Sequence, residues 1–251
     1  MKETRILMGM PVSVEIIAHS NSNQTQAIEE VFKYFEYVDE TFSTFKETSE
    51  ISKINQGITK KKDWSEDMKS VFALAEKTKL ETDGYFDIVT NDGTYDPSGI
   101  VKGWAILNAA SLIKKLGFEN YYVEAGGDIQ VSGKRSSTEP WRIGIKNPFD
   151  GSQIIKTVAL LRNEGIATSG SYERGNHIYN PKDRHNKLVN IVSVTVIGPD
   201  VLEADRLATA AFAMQHKGIL FLEKIHVAGY MIDKNKQATM TSHFHKYVQP
   251  S

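Results

Sequence analysis

No cysteine occurs among the 251 residues, which excludes disulfides, thiolate metal sites, iron–sulfur clusters and a cysteine nucleophile. Charge of one sign is also missing. The chain has 30 Lys and Arg against 31 Asp and Glu, a formal net charge of −1, so it is not a nucleic-acid or membrane-surface binder that depends on bulk positive charge. No apolar run approaches the length of a membrane span, and the opening MKETRILMGMPVSVEII lacks the apolar core of a signal peptide. As encoded, the chain is expected to be cytoplasmic. Internal repeats and low-complexity tracts are absent, and the basic stretch GITKKKDW reads as a solvated loop. Apolar residues make up 40% and charged residues 24%, as in ordinary soluble domains, and the length suits one large domain over 1–251 better than two.

Periodicity supplies the coarse architecture. MPVSVEII, residues 10–17, alternates as a strand. Ile28, Val31, Phe32, Phe35 and Val38 recur at helical spacing over 24–39. A second helix is expected after Ser65 as N-cap, burying Met68, Val71, Phe72 and Ala75. A third is expected over 102–116, with Trp104, Ala105, Leu112 and Leu116 inward and Gly117 as its stop. Strand-like runs follow at YYVEA, WRIGIK, IIKTVALL and NIVSVTVIG, separated by Gly, Asn, Pro and Asp turns. LEADRLATAAFAM and 217–225 read as helices, and AGYMID as a closing strand. Strands clustered in mid-chain, rather than alternating with helices, predict an α+β fold of mostly antiparallel sheet packed with helices.

Four polar clusters interrupt this pattern. In EADRLAT, Asp205 and Thr209 lie four residues apart, one above the other on a helix. The ordinary reading is an acidic first turn that suits the helix dipole; the alternative is half of a hard-cation site, which needs further oxygen ligands. In YDPSGIVKGWA, the Asp96-Pro97-Ser98-Gly99 turn runs into the third helix. There backbone groups can meet a ligand and Lys102 can reach a phosphate, or the turn is simply a cap. In EAGGDIQVSG, the paired glycines permit close backbone approach or merely turn a hairpin. In IATSGSYERGNHIYNPK, Thr168, Ser169 and Gly170 offer hydroxyls and amides to a phosphate, and His177 is the one histidine in such a polar run. His243 and His245 read as part of a solvated tail. Together the clusters suggest a site for a phosphorylated ligand with a hard metal.

These segments and their order resemble the FAD:protein FMN transferase (ApbE) family over nearly the whole chain. MGMPVSVEI is similar to the family's opening strand, with Met10 in place of threonine. VDETFSTFKETSEISKIN is similar to its Phe-Ser-Thr-Tyr motif, with Phe45 in place of tyrosine. GYFDIVT, DPSGIVKGWA, AGGDIQVSG, IATSGSYER, HIYNP, VSVTVIGPD and EADRLAT follow in family order. The resemblance implies FAD contacts at Met8, Phe45, Tyr85, Phe86, Asp87, Asp96, Lys102 and Tyr179, with Thr168 and Ser169 along the pyrophosphate. It implies Mg²⁺ held by the Gly99 carbonyl, Asp205 and Thr209, and His177 and Lys102 as catalytic groups. Some relatives carry a second aspartate where this chain has Ala208.

The implied reaction attaches FMN from FAD, through a phosphoester, to a Ser or Thr of an acceptor flavoprotein with a Ser/Thr-Gly-Ala-Thr/Ser-type motif, and releases AMP. Such transfer asks mainly for positioning and charge neutralisation, and an imidazole that titrates near neutrality suits the base. Two alternatives use the same residues: a Mg²⁺-dependent FAD pyrophosphatase, with water replacing the acceptor, and an FAD-binding protein without turnover. The chain resembles a compact variant. Only eight residues separate Asp87 from Asp96, where relatives carry a longer insert, and KDRHNK follows Pro181 in place of Thr-Gly.

Overall fold

The computed structural model describes residues 1–18, 23–160, 162–170, 179–183 and 188–249. Alternation decides its strands. β1 (Lys2–Leu7) and β2 (Met10–Ile17) form a hairpin that turns through Met8 and Gly9, both at positive φ. In β2, Val12, Val14 and Ile16 are fully buried on one face. β3 (Asn120–Ala125) and β4 (Asp128–Ser132) are joined by Gly126 and Gly127 at φ 55° and 89°, the left-handed geometry that a two-residue turn demands. β5 (Trp141–Asn147) pairs with β6 (Asp150–Leu160) as a separate hairpin. β7 (Glu164–Gly170), β8 (Ile191–Gly198), β9 (Ala228–Asp233) and β10 (Ala238–Met240) complete the main sheet. Its order is β1-β2-β3-β4-β7-β8-β9-β10, with every neighbouring pair antiparallel. The fold is mixed α and β, as expected.

Helices α1 (Gln24–Phe42), α2 (Glu50–Asn55), α3 (Glu66–Glu81), α4 (Ser98–Lys115), α5 (Val201–Ala213) and α6 (His216–Lys224) supply the remaining bulk. α1 runs past residue 39 because Phe42 continues its buried stripe. The Ser65 side chain caps α3, accepting the Met68 N–H at 3.1 Å. α4 begins four residues earlier than the spacing predicts. Pro97 occupies its N-cap position, and the Asp96 Oδ1 accepts the Ser98 N–H at 3.0 Å, so the Asp-Pro-Ser-Gly turn is itself the helix start. Leu116, expected inward, is exposed at the end of α4, while Ile106, Ala109 and Ile113 fill that stripe. Gly117, at φ 90°, stops the helix.

The main sheet has two differently covered faces. α1 and α4 pack on Val12, Val14, Ile16 and Val123, and α5 packs on Ala167, Val194, Val196 and Met231. On the other face, Trp141, Ile143, Ile145 and Val158 of the β5–β6 hairpin meet Ile129, Val131, Ile166 and Tyr230. The C-terminal segment joins this second layer rather than forming a solvated tail. Phe244 and Tyr247 are buried, Phe244 stacks on Tyr230 at 5.3 Å, and His243 and His245 lie in the docked turn around them.

Candidate functional site

The site begins with a close approach of two helices. Gly103 of α4 has no side chain; a Cβ there would stand 2.8 Å from the Asp205 Cβ and 2.9 Å from the Val201 carbonyl oxygen. α5 can therefore press against α4, and the Gly103 N–H donates to Asp205 Oδ2 at 2.8 Å. One turn further along α5, Thr209 Oγ1 faces the Gly99 carbonyl at 3.5 Å and Ser169 Oγ at 3.3 Å. Both separations are long for directed hydroxyl hydrogen bonds.

Charge gathers at the same place. Lys102, on the second turn of α4, lies 2.7 Å from Asp128 Oδ2 and 3.9 Å from Asp205 Oδ1. Asp128 Oδ1 accepts the Thr168 N–H at 3.0 Å, and Oδ2 is buried without an aligned hydrogen bond although the ammonium is near. Asp128 and Asp205 are buried, and among the described residues the Lys102 ammonium is the one cation within ion-pair distance of both. Burial pushes the Asp205 carboxyl up to about 7; Lys102 opposes the shift and Asp128 adds to it. The positive end of α4 also points here.

Oxygens of the Gly99 carbonyl, Asp205 and Thr209 suit a hard cation. Neighbouring ligands around an octahedral Mg²⁺ bonded at about 2.1 Å lie roughly 3 Å apart, close to the contacts that Thr209 Oγ1 makes. One carboxylate with neutral oxygens, beside a second carboxylate whose Oδ2 has no aligned hydrogen bond, fits such an ion.

The loop GYFDIVTNDGTYDP wraps the start of α4. The Phe86 ring is buried, 3.3 Å from where a Gly99 Cβ would stand. Asp87 is tied down by the Val89 N–H at 3.0 Å and by Lys79 at 2.9 Å. Tyr85 lies under the Lys182 ammonium at 4.8 Å, and the Tyr179 hydroxyl donates to the Val89 carbonyl at 2.9 Å. The short run between Asp87 and Asp96 closes on itself through a Val89–Tyr95 bridge, and Asn55 of α2 clasps the Tyr95 backbone at 2.8 and 2.9 Å. Asp96 borders a cavity of about 460 Å³ together with Thr44, the neighbour of Phe45. Phe45 itself is 97% exposed, a bare aromatic surface. Met8 packs at the margin of the hydrophobic cluster that also holds Tyr85 and Tyr95.

Gly99, Lys102, Ser169, Asp205 and Thr209 thus converge. Thr168 and Ser169 do not share a pocket, because β7 is a strand and sends successive side chains to opposite faces. Ser169 faces Thr209; Thr168 meets Thr195 at 2.8 Å and lines a cavity beneath β5. His177 lies outside the described residues. Asp128 is the member of the site that sequence reasoning passed over. Its one signal was a carboxylate entering an apolar strand directly after Gly-Gly, a burial that requires a charged partner.

FAD:protein FMN transferase of Haemophilus influenzae is 32% identical over 156 residues, which is 58% of this chain and 45% of that protein. The enzyme of that name from Escherichia coli K12 is also 32% identical, over 58% of this chain and 44% of its own length. The matched part thus spans less than half the length of these two curated relatives. A third, from Chlamydia muridarum, is 27% identical over 86% of this chain and 85% of its own. Among solved structures, the flavin transferase ApbE from Vibrio cholerae superposes with a TM-score of 0.86 at 23% identity, covering 98% of both chains. The ApbE protein of Thermotoga maritima gives 0.88 at 22%, covering 100% of this chain and 99% of that one. At these identities the structures establish the shared fold. The ApbE family model matches residues 8–95 and 89–231, well over half of the sequence, and the chain therefore belongs to the ApbE family.

Proposed function

We propose that this chain is a Mg²⁺-dependent FAD:protein FMN transferase, which moves FMN from FAD onto a Ser or Thr hydroxyl of an acceptor flavoprotein and releases AMP. The observation that carries this reading is the meeting of Gly99 and Lys102 on α4 with Asp205 and Thr209 on α5, beside the buried Asp128. The curated relatives bear the same activity in their names.

The Gly99 carbonyl, Asp205 and Thr209 would hold the ion, which when bound neutralises pyrophosphate charge. Lys102, kept in place by Asp128, sets a cation next to the phosphates, and the α4 N-terminus favours negative charge there. Ser169 reaches the same end of the site. Met8, Phe45, Asp96, Tyr179 and the Tyr85–Asp87 stretch are read as contacts for the rest of FAD. Phe45 offers an open ring face, and the loop closed by Tyr179 offers a rigid wall. The acceptor hydroxyl attacks the FMN phosphorus as His177 removes its proton; a new O–P bond forms and the bond to the AMP phosphate breaks.

The test supplies purified chain, FAD and Mg²⁺ with and without an acceptor domain bearing the Ser/Thr motif. The expected result is FMN bonded to the acceptor by mass spectrometry, AMP in equal amount, and loss of both with EDTA. AMP with free FMN and an unmodified acceptor would make the protein a pyrophosphatase. Intact FAD throughout would make it a binder.

A further inference from the structure

The β5–β6 hairpin has two outer edges, and among the described residues only one is paired. Beside β6, Val248 bridges Val158 and the Gln249 N–H donates to the Thr157 carbonyl at 3.1 Å. Beside β5, no strand pairs among the described residues. Register identifies the groups left open. The Thr157 carbonyl points away from β5, so its cross-strand partner Gly144 turns its own N–H and C=O away from β6. Arg142, two residues earlier, repeats that orientation.

This open edge is one wall of a cavity of about 470 Å³, whose other wall is the main sheet around Tyr122, Ile129 and Ile166. The wall is fixed: the Trp141 indole N–H donates to the Ser132 carbonyl at 3.0 Å. The cavity's charges are unbalanced, with Lys2, Arg135, Arg142 and Lys146 against Glu15 and Glu124. It extends to Gly127 and Thr168, the chain neighbours of Asp128 and Ser169 in the candidate site. The Thr168 amide is held by Asp128, which pairs with Lys102. β4 begins only at Asp128, and its pairing with β7 ends at Ile166, so β7 continues past the hairpin corner toward Ser169 with no β4 partner.

The geometry points to this groove as the docking site of the acceptor flavoprotein: an extended segment with acidic side chains adds as a strand along Arg142 and Gly144 and carries its hydroxyl past Thr168 to the Lys102 end. Strand addition draws affinity from backbone hydrogen bonds, which tolerate varied acceptor sequences, while the basic lining selects acidic flanks. The inference rests on the transferase reading above. Its rival is that Arg142 and Lys146 merely guard an exposed edge against aggregation.

Arg142→Pro separates the two. Proline removes an outward N–H and leaves the ladder to β6 intact, a position where edge strands tolerate it, whereas Arg142→Ala removes the charge alone. With an acceptor domain as substrate, Arg142→Pro should raise the acceptor KM about three- to tenfold above Arg142→Ala, the worth of one backbone hydrogen bond. FAD affinity, read by flavin fluorescence, should be the same in all three proteins. In the unmodified chain, a peptide with the Ser/Thr-Gly-Ala-Thr/Ser-type motif between Asp and Glu flanks should slow hydrogen exchange at the Gly144 amide. Equal KM values in the two variants, with unchanged exchange at Gly144, would overturn the docking site. If Arg142→Pro loses FAD affinity through misfolding, exchange in the unmodified chain decides alone. A wild-type chain that flavinylates nothing overturns the transferase reading itself, and that failure shows before any variant is made.

Discussion

Asp205 is the residue on which proton and backbone meet, and on which the proposed ion would compete with the proton. Buried beside Asp128 with Lys102 as the shared counter-charge, its carboxyl binds a proton more tightly than an exposed one. In the metal-free chain the native state therefore holds a proton that the unfolded state has released, between the ordinary carboxylate range and neutrality. Stability contributed by that proton is present at low pH and lost as pH rises through the raised value. In EDTA the melting temperature should fall between about pH 5 and about pH 7.5. Asp205→Asn should flatten that slope, and Mg²⁺ should restore stability to the wild type at the upper pH. The same substitution should weaken Mg²⁺ binding at least about 100-fold by calorimetry, since even an outer partner of a metal ligand commonly costs 10–100-fold. Wild-type affinity in Asp205→Asn would remove Asp205 from the ligand set.

Elements were legible where periodicity carries the information. The alternation of β2 and the i, i+3, i+4 stripe of α1 mark buried faces directly, and Asp205 with Thr209 on one face of α5 is a local relation that spacing reveals. Short or polar elements such as β1, α2 and β10 lack that periodicity. β7 hid for another reason: Thr168, Ser169 and Gly170 look like a loop, yet pairing with β8 makes them strand. Asp128 escaped because its partners, Lys102 and Thr168, come from another helix and another strand. The packing of α4 on α5 depends similarly on one glycine whose neighbours are remote in sequence. Gly103→Ala would force the helices apart, costing about 1–3 kcal/mol as overpacking does, and would strain the bond from the Gly103 amide to Asp205. A lower urea midpoint together with weaker Mg²⁺ binding is expected; unchanged values for both would show that the two helices can yield without cost.

Across the whole molecule, the main sheet separates two layers that can be perturbed independently. The α-helical face carries the candidate ion site, while the opposite face buries the hairpin core and the C-terminal turn. Phe244→Ala would empty a fully buried ring position stacked on Tyr230, a loss of about 3–5 kcal/mol. Equilibrium unfolding should show that loss, with Mg²⁺ affinity within about twofold of wild type where additivity between distant sites holds. A parallel loss of ion affinity would mean that the sheet transmits the damage.

The bond from the Gly103 amide to Asp205 joins residues 102 positions apart. A chain without cysteine has no covalent staple for a loop of that size, and in the unfolded ensemble closing it carries a substantial entropic penalty. An ion shared by Gly99 and Asp205 would fasten the same loop reversibly. Magnesium would then act as a removable rivet as well as a reactant's counter-ion, and chelation would leave the connection between α4 and α5 open to proteases.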